Sequence, residues 1–167
     1  ESIKFHHLNM PLASPFETSF GRETDRECIL ITIHSEGLIG YGECVASRDP
    51  GYNYETTGTA LHILKEFITP LILEKDIKDA LDFQERVSGI RGHHLVKAGV
   101  EMAIWDLLGK RAGKSLREML GGDKTKVDVG VSIGLQSSPE KLVHAVADYV
   151  AQGYRRVKIK IKPGRDV

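Results

Sequence analysis

The chain has 167 residues, with 23 Lys+Arg against 23 Asp+Glu, so its formal net charge is zero and no bulk field draws it to nucleic acid. Its hydrophobic content of 41% and charged content of 28% are ordinary for a soluble folded protein. No apolar run approaches the roughly 20 residues of a membrane span, and the length allows one core, or one small domain plus part of another.

The opening Glu1-Ser2-Ile3-Lys4 has neither an initiator Met nor a signal-peptide pattern, and is expected to be a trimmed end. Residues 3–10 alternate well enough for a strand, which Pro11 and Pro15 are expected to end. Segment 15–22 (PFETSFGR) then reads as a loop of mixed aromatic and polar residues. The β-branched run 27–35 (ECILITIHS) and the run 39–45 (IGYGECV) flank Glu36-Gly37, which suits a tight hairpin turn. With the first strand they predict a three-stranded antiparallel meander. Cys28 and Cys44 lie on the two hairpin arms, where a cross-strand disulfide is conceivable. Two cysteines do not make a disulfide framework, however, and a reduced pair in the cytoplasm is the expectation.

Segment 47–54 (SRDPGYNY) is a second loop, dense in turn formers and tyrosines. After it the hydrophobic period changes. Ala60, Leu61, Leu64, Phe67, Ile68 and Leu71 recur at helical spacing, with Pro70 near the end. Ile77, Leu81 and Val87 mark a shorter helix that Gly89 stops. Val96, Val100, Ala103, Ile104, Leu107 and Leu108 define the strongest helix, with Gly113 after it. Residues 115–120 add a final turn before Gly121-Gly122.

Beyond that break, 127–134 (VDVGVSIG) reads as a strand. Ser137 or Ser138 then caps a helix with Pro139 in its first turn and Glu140 near the positive dipole end. Leu142, Val143, Val146, Ala147 and Val150 are its expected buried stripe, and Gly153 closes it. Residues 154–162 form the next strand, so the segment predicts a parallel βαβ unit. Alternation along this last strand puts Val157, Ile159 and Ile161 on one face and Lys158, Lys160 and Lys162 on the other. On a solvated sheet the lysines are a soluble stripe. On the inner wall of a barrel, neighbouring ammonium groups disfavour each other's charge, and that makes a lysine usable as a base. The seven histidines include the adjacent pairs His6-His7 and His93-His94, whose side chains diverge, and no Cys/His spacing resembles a zinc site.

Segment 92–122 reads GHHLVKAGVEMAIWDLLGKRAGKSLREMLGG. It resembles the helical hallmark of the enolase superfamily, in its muconate-lactonizing-enzyme-like subgroup. Lys97, Ala98, Glu101, Met102, Ala103, Trp105, Asp106 and Leu107 match its core. Gly113, Leu116, Leu120, Gly121 and Gly122 match its close, with Met119 replacing a usual leucine. Read from the residues alone, this is an amphipathic helix in which Trp105 and Met102 fill a core. The second match, Arg156-Val157-Lys158-Ile159-Lys160-Ile161-Lys162-Pro163-Gly164, is similar to the second barrel strand of the branch containing o-succinylbenzoate synthases and N-acylamino acid racemases.

The resemblance implies an α+β capping domain over 1–122, a meander sheet with helices, followed over 123–167 by the start of a (β/α) TIM-like barrel. It also implies that the chain is the front portion of a longer protein. Lys160 would be the acid/base lysine and Lys158 its charged neighbour, with Lys162 outside the motif. Loops 15–22 and 49–57 would close over the barrel mouth, where Phe20, Tyr52 and Tyr54 line an apolar pocket or else pack locally. Ser132 would bond a substrate carboxylate. The implied reaction is removal of a proton α to a carboxylate, with Mg²⁺ holding the enediolate charge. The metal ligands and an opposing lysine would lie on later strands, after Val167, leaving no metal ligand in this chain. The leading activities are dehydration to o-succinylbenzoate in menaquinone synthesis and N-acylamino acid racemisation. Dipeptide epimerase and muconate cycloisomerase are the rivals within the superfamily. The rival of another class is a non-catalytic fragment or assembly partner. The expected partner is a small-molecule carboxylate, with no nucleic acid and no membrane, and the expected assembly is a homo-oligomer.

Overall fold

The computed structural model describes residues 2–18 and 21–164. Three strands, β1 (Ser2–Thr18), β2 (Gly21–Ser35) and β3 (Leu38–Cys44), form one sheet in that order. β2 and β3 are antiparallel, from Ser35 opposite Leu38 to Ile29 opposite Cys44. Glu36 and Gly37 both take positive φ in the turn, as a two-residue hairpin with the right twist requires. The meander is thus as expected, but β1 does not stop at Pro11 or Pro15. It continues to Thr18, and most of the segment read as a loop is strand. β1 is an edge strand, and an offset of four residues puts both missing proline N–H groups on one side, where an edge strand tolerates them.

A helical run follows, made of α1 (Thr57–Ile63), a π-helical turn (Leu64–Ile68) and α2 (Thr69–Ile72). Thr56 caps it reciprocally with Thr59. The wide turn ends two residues before Pro70, and the Thr69 hydroxyl donates to the Leu64 carbonyl at 2.7 Å. α3 (Ala80–Arg86) starts later than Ile77 because Asp79 takes the cap, accepting from the Asp82 amide at 2.9 Å. α4 (His94–Ala112) ends on Gly113 in the left-handed region, and α5 (Leu116–Met119) adds one capped turn.

The core joins Ile29, Ile31 and Cys44 of the sheet to Leu64, Ile68, Phe83, Val96, Val100, Ala103 and Ile104 of the helices. β3 and α4 meet backbone to backbone. A Cβ on Gly42 would lie 2.0 Å from the Gly99 carbonyl oxygen, and one on Gly40 would lie 2.1 Å from that of Ala103. The buried stripe of α4 is therefore Val96, Gly99, Val100, Ala103 and Ile104. Met102 is 45% exposed and Trp105 only half-buried, so the reading that these two fill the core is corrected. Small residues, not large ones, let the helix seat on the glycine strand. Cys28 and Cys44 are free and buried, and burial pushes the Cys44 thiol up to about 11.

The second part of the chain contains β4 (Val131–Ile133), α6 (Pro139–Ala151) and β5 (Val157–Ile159). Ser138 caps α6, with Pro139 at its first position. β4 and β5 pair in parallel, as the βαβ reading predicts. Both strands are shorter than expected, and no residue of α6 is buried, which corrects the predicted stripe. Val143 is 68% exposed, because a two-stranded sheet covers only part of a helix face. The chain divides into two compact units, Glu1–Met10 with Arg26–Asp123, and Pro11–Asp25 with Lys124–Val167.

Candidate active site

The lysine-bearing strand lies in the second unit. β4 and β5 align with Val131 opposite Val157, Ser132 opposite Lys158 and Ile133 opposite Ile159, and the Lys160 amide continues the ladder to the Ile133 carbonyl at 3.3 Å. Residues opposite each other in a ladder share a face, so Ser132, Lys158 and Lys160 project to the same side. Their surroundings differ. Lys158 is exposed and makes no ion pair or hydrogen bond among the described residues. Lys160 is half-buried, with its Nζ over the Phe16 ring at 3.5 Å from the centroid. Lys162, past the end of β5, pairs with Glu17 at 3.5 Å. The strand therefore presents one ammonium to open space, one against an aromatic face and one to a carboxylate.

In the first unit, the loop after β3 is closed at its base. The Thr57 amide donates to the Ser47 carbonyl at 2.9 Å, and Ser47 and Thr56 form a bridge. Glu27, at the start of the buried part of β2, reaches both ends of this loop. Its carboxylate accepts from Arg48 Nε at 2.6 Å and from the Thr57 hydroxyl at 3.1 Å, and it lies 3.1 Å from His7 Nε2. Hydrogen bonds from Arg48 and His7 hold the Glu27 carboxyl below its ordinary range. At the loop's far end Glu55, 1% exposed, accepts from the Leu95 and Val96 amides at 3.0 and 3.2 Å. It satisfies the N-terminus of α4, where the left-handed His93 offers no side-chain cap.

Between these anchors the tip stays open. Tyr52 is 85% exposed, and Tyr54 is 60% exposed with its ring edge-on to His93 at 6.4 Å. Phe20 lies outside the described residues. Among the described residues no three His, Cys, Asp or Glu side chains converge to hold a metal ion. The described residues thus do not fit a magnesium site. Among the described residues, no helix is long and apolar enough to cross a membrane.

Sequence reasoning passed over Phe16, Glu17, Glu27, Arg48 and Glu55. Glu27 and Arg48 are 21 residues apart and Glu55 and Val96 are 41, so no local spacing connects them. The available signals were weak: a lone Glu opening a β-branched run, and another just before a Thr-rich helix start.

Residues 2–121 match the N-terminal domain of mandelate racemase / muconate lactonizing enzyme. The chain belongs to that family, within the enolase superfamily. As an enolase-superfamily chain it carries the N-terminal α+β capping fold. It is 45% identical over its whole length to an o-succinylbenzoate synthase of Geobacillus kaustophilus, and 41% identical over 99% of its length to an N-succinylamino acid racemase of Thermus thermophilus. It spans 45% of the length of each. A solved enolase-superfamily structure from Listeria innocua superposes on 99% of the chain, and on 45% of its own length, with a TM-score of 0.91 at 42% identity. These superfamily relatives are enzymes, and this chain corresponds to the N-terminal half of their length.

Proposed function

We propose that this chain supplies the capping domain, 1–122, and the first barrel strands, 123–167, of an enzyme that removes the proton α to a carboxylate. The observation that carries this reading is a ladder in which Lys158 stands opposite Ser132, with Lys160 two residues on and its amide bonded to the Ile133 carbonyl. Lys160, as the free amine, takes the proton and becomes an ammonium. Lys158 is its neighbour on the same strand face, and Ser132 bonds the substrate carboxylate. The magnesium ion implied by the resemblance would draw its ligands from residues outside this chain.

The proposed activities are dehydration to o-succinylbenzoate, a step of menaquinone synthesis, and racemisation of N-acylamino acids. Relatives at 45% and 41% identity bear the names o-succinylbenzoate synthase and N-succinylamino acid racemase, which favours this pair over dipeptide epimerisation or muconate cycloisomerisation. Two buried, free cysteines suit a cytoplasmic enzyme.

The test is α-proton exchange on an N-succinylamino acid in deuterated water, with Mg²⁺ and the full-length enzyme. Lys160→Ala is expected to lower exchange by about 10²–10⁴-fold. Exchange that survives Lys160→Ala overturns the base assignment, and turnover of dipeptides alone overturns the substrate class. The 167-residue chain by itself is expected to show no exchange.

A further inference from the structure

An edge strand offers its outward N–H and C=O groups to any other strand unless something occupies them. β1, at one edge of the sheet, carries Pro11 and Pro15, which lack the N–H that an incoming strand needs. β3, at the other edge, reads LIGYGEC, with no proline, no lysine and Glu43 as its one charge. The two-residue turn makes Ser35 and Leu38 a hydrogen-bonded pair, and the alternation then turns the backbone groups of Gly40 and Gly42 toward β2. Those of Ile39 and Tyr41 point away from it, to the edge.

Two side chains of α4 meet these outward groups. The Tyr41 amide donates to Asp106 Oδ2 at 2.8 Å, and Lys110 Nζ donates to the Ile39 carbonyl at 2.7 Å. Lys110 also pairs with Asp106 Oδ2 at 2.7 Å and stands 4.6 Å from the centre of the Tyr41 ring. An Asp–Lys pair four residues apart is common on a helix surface and by itself does little. Here each partner also holds a backbone group of a strand 65 to 71 positions away. The reach is short because α4 is seated on Gly40 and Gly42, backbone against backbone.

We propose that Asp106 and Lys110 guard the edge of β3, and that the partner they exclude is the same edge of a second copy of this chain. An antiparallel strand is its own partner about a twofold axis, so two such edges can exchange their outward N–H and C=O groups. Ile39 and Tyr41 bring the β-branched and aromatic side chains that stabilise cross-strand pairs. The two α4 side chains occupy the bonds that the second strand would make, so guard and partner exclude each other. The inference is independent of the reaction proposed above.

The experiment compares the full-length enzyme with its Asp106→Ala/Lys110→Ala variant by sedimentation between about 1 and 100 µM. The unsubstituted enzyme is expected to keep one mass, and the variant to associate further as its concentration rises. An unchanged mass in the variant overturns the proposal. Adding Tyr41→Pro removes an outward N–H from the edge and is expected to abolish the new association. Association that persists in that triple variant comes from some other surface and also overturns the proposal. Hydrogen exchange at the Tyr41 amide is the second readout. In the double variant it is expected to run about tenfold faster than in the unsubstituted enzyme when dilute, and to slow again on association. Equal rates in the dilute proteins overturn the guard. Lys110→Ala alone, at a side chain 40% exposed, frees only the Ile39 carbonyl. It is expected to give a weaker association of the same kind, and it decides the question if the double variant does not fold.

Discussion

The two compact units carry similar hydrophobic patterns with opposite outcomes. In the first, Phe83, Ile29, Ile31 and Leu64 are fully buried in a core shared by the sheet and the helices. In the second, among the described residues, only Ile133 is buried, and α6 leaves Val143 and Val150 at 68% and 56% exposure. The α6 stripe has the same helical spacing as that of α4. The difference lies in what each helix has to pack on. α4 has a glycine-lined strand that admits its backbone, whereas α6 has a sheet of two short strands. Periodicity marks a face that can be buried; a second layer of matching area buries it.

The largest test of this comparison sets one unit's core against the other's stripe. Phe83→Ala is expected to cost about 3–5 kcal/mol in denaturant melts of this chain, and Val150→Ala less than about 0.5 kcal/mol. Equal losses would break the comparison. Gly42→Ala comes next, at about 3 kcal/mol, because the added Cβ meets a carbonyl oxygen of α4 and not a movable side-chain end. A melt unchanged from the unsubstituted chain would mean that the strand and helix are not so closely seated. Glu55→Ala is expected to cost about 2 kcal/mol, since it strips two amides at the start of α4 of a buried acceptor. Its effect on hydrogen exchange should concentrate at Leu95 and Val96.

A smaller effect is set by pH. The Glu27 carboxyl sits below its ordinary value of 4.5 in the folded state, so its stabilisation is fully present above about pH 4.5 and is lost as pH falls through the lowered value. The melting-temperature gap between the unsubstituted chain and Glu27→Gln should therefore hold at pH 7 and close in acid. A gap that persists undiminished at pH 2 would assign it to packing. The smallest test concerns Cys44, whose thiol burial raises to about 11. Iodoacetamide at pH 8 should label it only as fast as the first unit opens.

The meander, the order of helices, a serine cap at 137 or 138 and the βαβ unit were all legible in the sequence, because each follows from signals within a few residues. The 92–122 hallmark carried the superfamily in the same way. Strand lengths were less legible: Pro11 and Pro15 look like stops until β1 proves to be an edge, and edge position is not a local property. The roles expected for Met102 and Trp105 failed for a related reason. Size suggests a core filler, but the partner strand's glycines leave room only for backbone and small residues.

What the sequence determined by itself is the set of short-range commitments, among them the alternation that puts Lys158 and Lys160 on one face. The tertiary structure alone decided which neighbours those lysines meet, with Phe16 against Lys160 and Glu17 against Lys162, and how Glu27 and Glu55 hold the tyrosine loop. Those pairs bring together residues between 21 and 145 positions apart. The cost of closing such separations is met only by the cooperative burial of a whole unit, which no window of the sequence contains.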